Sequence, residues 1–379
     1  MYQIGNSEVE AVRRVIERQQ LFRYQGPGVE TECTQFEHEF AHYLQSPHAL
    51  LLSSGTNALV AGLKALGIGA GDEVIVPCFT YVATVAAVLQ VGAAPVVVAV
   101  DEHLGLCPSA SAKALTSRTK ALIAVHMDGM NCQLDQLAEL AQAHGLFLVE
   151  DVAQAVGGSY RGRMLGTIGD VGCFSFNADK IITCGEGGAL VCQDETIYQK
   201  ALMAHDVGAA FGRTYKDYLA STPLEVGFSM RVSEISAAIM REQLKRLPSL
   251  LLLLRERHQL LRDKLLGAGL PLITAADLAG DCGTSILLRT NDPLELLERS
   301  RALGKAMVKV MSLTARPAYA SWQWERILGW AEADLLLLRK RLAPTQLHLS
   351  SVLKIYVEPQ LELPQIERQA QTIIQVMQS

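Results

Sequence analysis

The chain has 379 residues, 49% of them hydrophobic, which is enough to bury a large core and, by length, to form two domains. A formal net charge of −5 gives no electrostatic footprint for nucleic acid or for an anionic membrane surface. The apolar runs are broken by Gly, Pro or Gln, as at Gly92 and Pro95, so none reads as a membrane span, and the charged, amphipathic residues 1–20 do not read as a signal peptide.

In chain order, Ser7-Glu8-Val9-Glu10 reads as a capping box, and Val9, Val12 and Ile16 recur at helical spacing. They predict a first helix that ends before Gly26-Pro27-Gly28. Phe36, Phe40 and Tyr43 stripe a second helix and read as core. A strand at 49–52 follows, and Ser53-Ser54-Gly55-Thr56-Asn57 then opens a helix through Leu66. Backbone N–H groups at a helix start, with a glycine permitting close approach, make an anion site; capping by Ser or Thr is the alternative. Gly71-Asp72-Glu73 turns into a strand at 74–76, and Pro77-Cys78-Phe79-Thr80-Tyr81 leads into another helix. An aromatic in that loop can stack on a planar ring, or Phe79 and Tyr81 are both core. A strand at 96–100, a helix near 110–115, a strand at 121–125 and a helix at 134–144 continue an alternation of the sort that forms a parallel sheet. No G-x-G-x-x-G follows the first strand, which argues against a nicotinamide-binding domain. Eight cysteines are scattered without a C-x-x-C pair, and Cys173 and Cys192 lie in apolar strands. Buried free thiols in a reducing cytoplasm explain them better than disulfides or zinc.

The chain is organised around residues 145–192. An apolar strand at 146–149 delivers Glu150 and Asp151 at its carboxyl end, where open α/β sheets bind ligands. A second run, 171–176, ends in a polar turn bearing Lys180, and Gly185-Glu186-Gly187-Gly188 turns the backbone into a third strand. Alone, a strand-end Asp is usually a cap and a lone Lys a solvated surface residue. Together, on neighbouring strands, they are the pair that pyridoxal 5'-phosphate chemistry requires: a lysine to bond the aldehyde and a carboxylate to keep the pyridine nitrogen protonated. With S-F-x-x-x-K (Ser175 to Lys180) followed by G-E-G-G, the chain resembles the DegT/DnrJ/EryC1/StrS sugar aminotransferases of the type I pyridoxal-phosphate fold, over roughly residues 26–247.

The resemblance implies an α/β fold with a mainly parallel seven-stranded sheet, helices on both faces and a smaller C-terminal α+β domain. It also implies a homodimer with shared active sites. By residue, it assigns the phosphate to Gly55, Thr56 and Ser175, the pyridine nitrogen to Asp151, the phenolic oxygen to Gln154, the ring face to Tyr81 and the covalent link to Lys180. Phe79 then packs in the core, His126 supports the site from behind, and Glu186 steadies a turn. The stretch 212–225, with Arg213, Tyr215, Lys216 and Tyr218, would contribute to substrate choice. Gly227-Phe228-Ser229-Met230-Arg231-Val232-Ser233-Glu234 resembles the family's G-[YF]-N-x-R-[ML]-x-E, with Ser229 in place of Asn. Arg231 fits the arginine that reaches the neighbouring subunit's phosphate or substrate; a salt bridge to Glu234 is the alternative.

Pro248 marks the expected boundary, with one helix at 234–247 and a separate leucine-rich one from Leu250. Residues 1–247 would then be the cofactor-binding domain and 248–379 the small one. The latter carries a strand at 285–288, a helix from Asn291-Asp292-Pro293, a strand at 352–357 and a helix from Pro364. Leu335 to Leu338 reads as core or subunit contact. The implied activity moves an amino group from glutamate or glutamine to a keto or aldehyde sugar, nucleotide-linked or of the 3-deoxy-octulosonate type. Two alternatives stay open. One is pyridoxal-phosphate-dependent sugar 3-dehydration, whose relatives carry His where Lys180 is retained here. The other is a non-catalytic regulator on the same scaffold, for which no DNA-binding module or basic patch speaks.

Overall fold

Short apolar runs pair into a sheet because each is long enough for a strand and too short for a helix. In chain order the strands are β1 (His48–Leu52), β2 (Glu73–Pro77), β3 (Ala94–Val98), β4 (Thr119–Val125) and β5 (Phe147–Asp151), then a small hairpin of β6 (Ser159–Tyr160) and β7 (Arg163–Met164), then β8 (Val171–Ser175) and β9 (Gly188–Cys192). All but the hairpin join one seven-stranded sheet in the order β1-β9-β8-β5-β4-β2-β3. Only β9 runs against the other six strands, so the sheet is mainly parallel, as expected. The strand expected at 96–100 is β3, two residues earlier, paired from Glu73↔Ala94 to Pro77↔Val98. The computed structural model describes residues 3–24, 30–207, 226–290, 293–306, 308–312, 317–321, 324, 328–330 and 332–378.

Helices cover both faces, which is why β2, β8 and β9 are buried along their whole length. They are α1 (Asn6–Glu17), α2 (Glu32–Leu44), α3 (Gly55–Ala65), α4 (Ala83–Gln90), α5 (Pro108–Lys113), α6 (Leu134–His144), α7 (Glu195–His205) and α8 (Glu234–Gly267). Alternate residues of each strand feed different cores. Leu51, Leu122 and Phe174 join Phe36 and Phe40 of α2 and Leu137 of α6. Leu50, Leu52 and Ile123 join Leu59 of α3, Val85 of α4 and Leu202 of α7.

The first helix forms, but its cap is not the expected one. Ser7 lies inside α1, and it is Glu8 that reaches back to accept the Gly5 N–H (2.8 Å). Glu8 also accepts from Gln243 Nε2 (2.7 Å) and pairs with Arg246, so α1 docks on α8 through a buried carboxylate. Ala11 and Val15 face inward, whereas Val9 and Ile16 are more than half exposed.

A larger correction concerns Pro248. The two helices expected on either side of it are one 34-residue helix, α8, with Pro248 inside. Proline removes the N–H that would serve the Leu244 carbonyl. The helix persists because Leu244, Leu247, Leu251, Leu254, Leu261 and Leu265 form one buried stripe on both sides of the missing bond.

Beyond α8, a four-stranded antiparallel sheet of order β10-β11-β13-β12 comprises β10 (Leu272–Ile273), β11 (Ser285–Arg289), β12 (Val310–Ser312) and β13 (Val352–Tyr356). Helices α9 (Pro293–Lys305), α10 (Glu332–Ser350) and α11 (Leu363–Gln378) accompany it. Within α10, Leu338 is buried in a core shared with α3 and α4, while Leu336 and Leu337 are exposed.

Candidate active site

The carboxyl ends of the parallel strands border a cavity of about 630 Å³. Asp151 closes β5 and is buried. Its Oδ2 accepts from the Thr84 hydroxyl (2.8 Å), itself 2.7 Å from the Thr80 hydroxyl, and its Oδ1 accepts from the Ala153 N–H (3.1 Å). Burial pushes the Asp151 carboxyl above its usual range, against the pull of those two donors and of Lys180. Lys180 sits in the turn after β8, where its N–H donates to the Asn177 carbonyl (3.0 Å). Asn177 Nδ2 donates to Glu186 Oε1 (3.1 Å), so Glu186 ties this turn to the glycine turn leading into β9. Lys180 is half-buried, and burial lowers its ammonium below the usual lysine range, against the attraction of Asp151 and Asp179.

The start of α3 forms another wall. Ser54 caps it, its Oγ accepting from the Asn57 N–H (3.0 Å), and the Gly55 and Thr56 N–H groups, in the first turn, have no intrahelical acceptor. A capped Asn57 N–H and first-turn N–H groups with no intrahelical acceptor thus occur in one turn. A Cβ on Gly55 would lie 2.7 Å from Ser175 Cβ, and one on Gly188 would lie 2.3 Å from the Ser54 carbonyl carbon. Glycine at both places lets the α3 start press against the ends of β8 and β9, with the Ser175 hydroxyl beside it.

Gln154 has a defined orientation. Its Oε1 accepts from the Asp128 N–H (3.1 Å), which assigns the amide and turns Nε2 into the group with donors to offer. Tyr81 is half-exposed, and its ring lies 5.3 Å from that of Tyr319. Tyr319 arrives from the distant part of the chain: the Thr80 N–H donates to the Tyr319 carbonyl (3.2 Å) and the Val82 N–H to the Ala318 carbonyl (2.8 Å). Phe79 is buried and bridges to Ala320.

One cavity therefore gathers Gly55, Thr56, Tyr81, Asp151, Gln154, Ser175 and Lys180. Arg231 is not in its wall. It pairs with Asp206 and lies over the Phe22 ring (5.5 Å), while Glu234 caps α2 by accepting the Glu32 and Cys33 N–H groups. The Arg231–Glu234 salt bridge is therefore absent, because Asp206 takes the guanidinium and the α2 N–H groups take the carboxylate. His126 is fully buried behind the sheet end. The Cys132 N–H is aimed at its Nδ1 (3.2 Å), so Nε2 carries the proton toward Glu150 (3.2 Å). Burial works to raise Glu150, but His126 and the Gly166, Ile168 and Gly169 N–H groups outweigh it and hold that carboxyl below its usual range. The expected substrate loop with Arg213, Tyr215, Lys216 and Tyr218 lies outside the described residues. Sequence reasoning missed Thr84, Tyr319, Asp128 and Lys354. Only Lys354 carried a signal, as a cation in the middle of the apolar run V-L-K-I-Y.

Among known proteins, the model of the DegT/DnrJ/EryC1/StrS aminotransferase family matches residues 2–311. The GDP-perosamine synthase of Vibrio cholerae is 40% identical over 239 residues, 63% of each chain. The L-glutamine:2-deoxy-scyllo-inosose aminotransferase of Streptoalloteichus tenebrarius is 32% identical over 375 residues, 92% of this chain and 84% of that one. With four of the curated relatives the match spans only 57% to 63% of the relative's length. The solved structure of 3-amino-5-hydroxybenzoic acid synthase superposes with a TM-score of 0.85 at 29% identity, covering 99% of this chain and 97% of that one. An aminotransferase from Psychrobacter cryohalolentis gives 0.86 at 30% identity, covering 99% and 98%.

Proposed function

The chain belongs to the DegT/DnrJ/EryC1/StrS aminotransferase family, and from that membership we propose that it moves an amino group from glutamate or glutamine to a keto or aldehyde sugar or a related polyhydroxylated ring. Its cofactor is pyridoxal 5'-phosphate. The observation that carries the reading is that Lys180, the buried Asp151 and the open start of α3 border the same cavity. The residues fit that cofactor: the N–H groups of Gly55 and Thr56 and the Ser175 hydroxyl suit a phosphate, and a Cβ at Gly55 would push Ser175 away.

When bound, the cofactor supplies an aldehyde and a ring that takes up the electron pair freed at the substrate carbon. In this reading Asp151 would keep the ring nitrogen protonated, and that cation would offset the burial that raises the free carboxyl. Gln154 Nε2 would donate to the cofactor's phenolic oxygen, and Tyr81 would cover its ring and exclude water. Lys180 would hold the cofactor's aldehyde carbon and would carry a proton at Nζ; the lowering by burial favours the neutral amine this requires.

The reading extends to the whole molecule. Residues 1–247 carry most of the cofactor-binding side chains, α8 runs on through Pro248 into the smaller part at 248–379, and two copies share active sites, with Arg231 serving the partner. Exposed Ile4, Val9, Ile16, Phe22 and Phe228 support such an interface. No helix among the described residues is long and apolar enough to cross a membrane, and the cysteines are free thiols, in keeping with a cytoplasmic enzyme. The test is covalent. The purified protein should be yellow, borohydride should bleach that band, and mass spectrometry should place the adduct on Lys180. An adduct on Lys64 or Lys120, or none, would sink the assignment. Lys180→Ala should retain cofactor non-covalently and lose amino transfer.

A further inference from the structure

The Lys180 cavity adjoins a second chamber of about 520 Å³, which shares Gln154, Asp179, Lys180 and Tyr319 with it and is bordered by Asp128, Lys354 and Tyr356. The charges in its wall balance: Lys354 pairs with Asp128 and Lys309 with Glu358, and Lys180 and Asp179 supply one further charge of each sign. The Asp128 and Lys354 side chains are 5% and 12% exposed. Asp128 is held firmly. Its backbone is left-handed (φ 58°), its carbonyl accepts from the Thr284 and Ser285 hydroxyls, and its N–H fixes Gln154. One carboxylate oxygen takes Lys354; the other has no donor among the described residues. The Lys354 ammonium also lies 4.5 Å from the centre of the Tyr356 ring.

A buried acceptor left without a donor is costly, and a strained backbone that presents it adds to the cost. We propose that the Asp128–Lys354 pair binds the hydroxyl groups of a neutral polyhydroxylated ring, the amino acceptor, in the chamber beside Lys180. The proposal rests on the amino-transfer reading above. A hydroxyl both donates and accepts, so a carboxylate and an ammonium side by side satisfy it from two directions while remaining neutral overall. A carboxylate or phosphate brought to Lys354 would instead face Asp128 at the same place. Tyr356 and Tyr319 supply apolar faces for the ring's C–H groups.

The test uses the holoenzyme with Asp128→Asn, which keeps shape and tolerates the left-handed backbone, and Lys354→Met, which keeps length. Binding of myo-inositol, of GDP-mannose and of glutarate is titrated calorimetrically, and the donor half-reaction with glutamate and with glutamine is followed by cofactor absorbance. Each variant should weaken ring binding about ten- to a hundredfold, the loss of a hydrogen bond to a charged group. Ring binding should fall at least about tenfold more than either glutarate binding or the donor rate. Loss confined to GDP-mannose supports a ring carried on a nucleotide; equal loss for myo-inositol supports a free ring. Ring binding within twofold of wild type in both variants, no binding of either ring by wild type, or a larger loss for glutarate each overturns the proposal. If wild type shows no absorbance change with either amino donor, the amino-transfer reading fails first, and the acceptor role falls with it.

Discussion

Asp151 is buried, and a buried carboxylate stays ionised only if something donates to it. Thr84 and the Ala153 N–H do so before any cofactor arrives. Thr84→Val keeps the shape and removes a bond to a charged group worth about 1.5–3 kcal/mol. The hydroxyl favours the carboxylate, so its loss raises the Asp151 carboxyl further. The acid limb of kcat/KM should therefore move to higher pH, with the rate at neutral pH reduced roughly tenfold or more. An unmoved limb would mean that Thr84 only packs. Asp151→Asn should fall by orders of magnitude while retaining cofactor, since an amide cannot hold the ring nitrogen protonated. Near-normal turnover of that variant at saturating cofactor would reduce Asp151 to a strand cap.

Among the elements, the approach to β11 carries its own titration. Asp281 is buried, accepts from the Gly283 N–H (2.7 Å) and is pushed up to about 7, mainly by burial. The folded protein thus holds a proton there that the unfolded chain, near its ordinary value, releases. Stability from this group is present below about pH 4 and is lost as pH rises through about 7, on the order of 4 kcal/mol above that. Asp281→Asn should melt higher than wild type at pH 8 and alike at pH 4; equal melting at both would remove Asp281 from the balance. Much of the element order was legible because chemistry sits where one element ends: Asp151 closes β5, Lys180 follows β8, and Gly55 opens α3. What escaped has physical causes. Pro248 reads as a stop until the buried leucines on both sides of it outweigh one missing bond. Tyr319 reaches the site through tertiary contacts that no local spacing announces, and Lys354 showed only as a cation in an apolar run. The apolar stripe of α1 predicted a helix correctly, but not that Glu8 would be on its buried side.

At the scale of the whole molecule, the proposed sharing of sites can be separated from a purely structural role for Arg231, which pairs with Asp206 in its own chain. Lys180→Ala and Arg231→Ala proteins should each be nearly inactive. If Arg231 serves the partner's site, a mixed dimer holds one site with both defects and one with neither. Tagged and isolated, it should recover about half of wild-type activity per dimer if the sites act independently. A mixed dimer as inactive as its parents would confine Arg231 to its own subunit. The long helix α8 bears on heredity as well as on shape. At 34 residues it is about 50 Å long, packing α1 and α2 along its first half and α11 along its second. A crossover between related genes at Pro248 would join two halves of one buried stripe that never packed together. A crossover at Ala268 and Gly269, where the helix closes in a left-handed glycine, would leave that stripe whole. The strand carrying Lys354 could then be traded between lineages while the cradle of Gly55 and Lys180 descends unchanged.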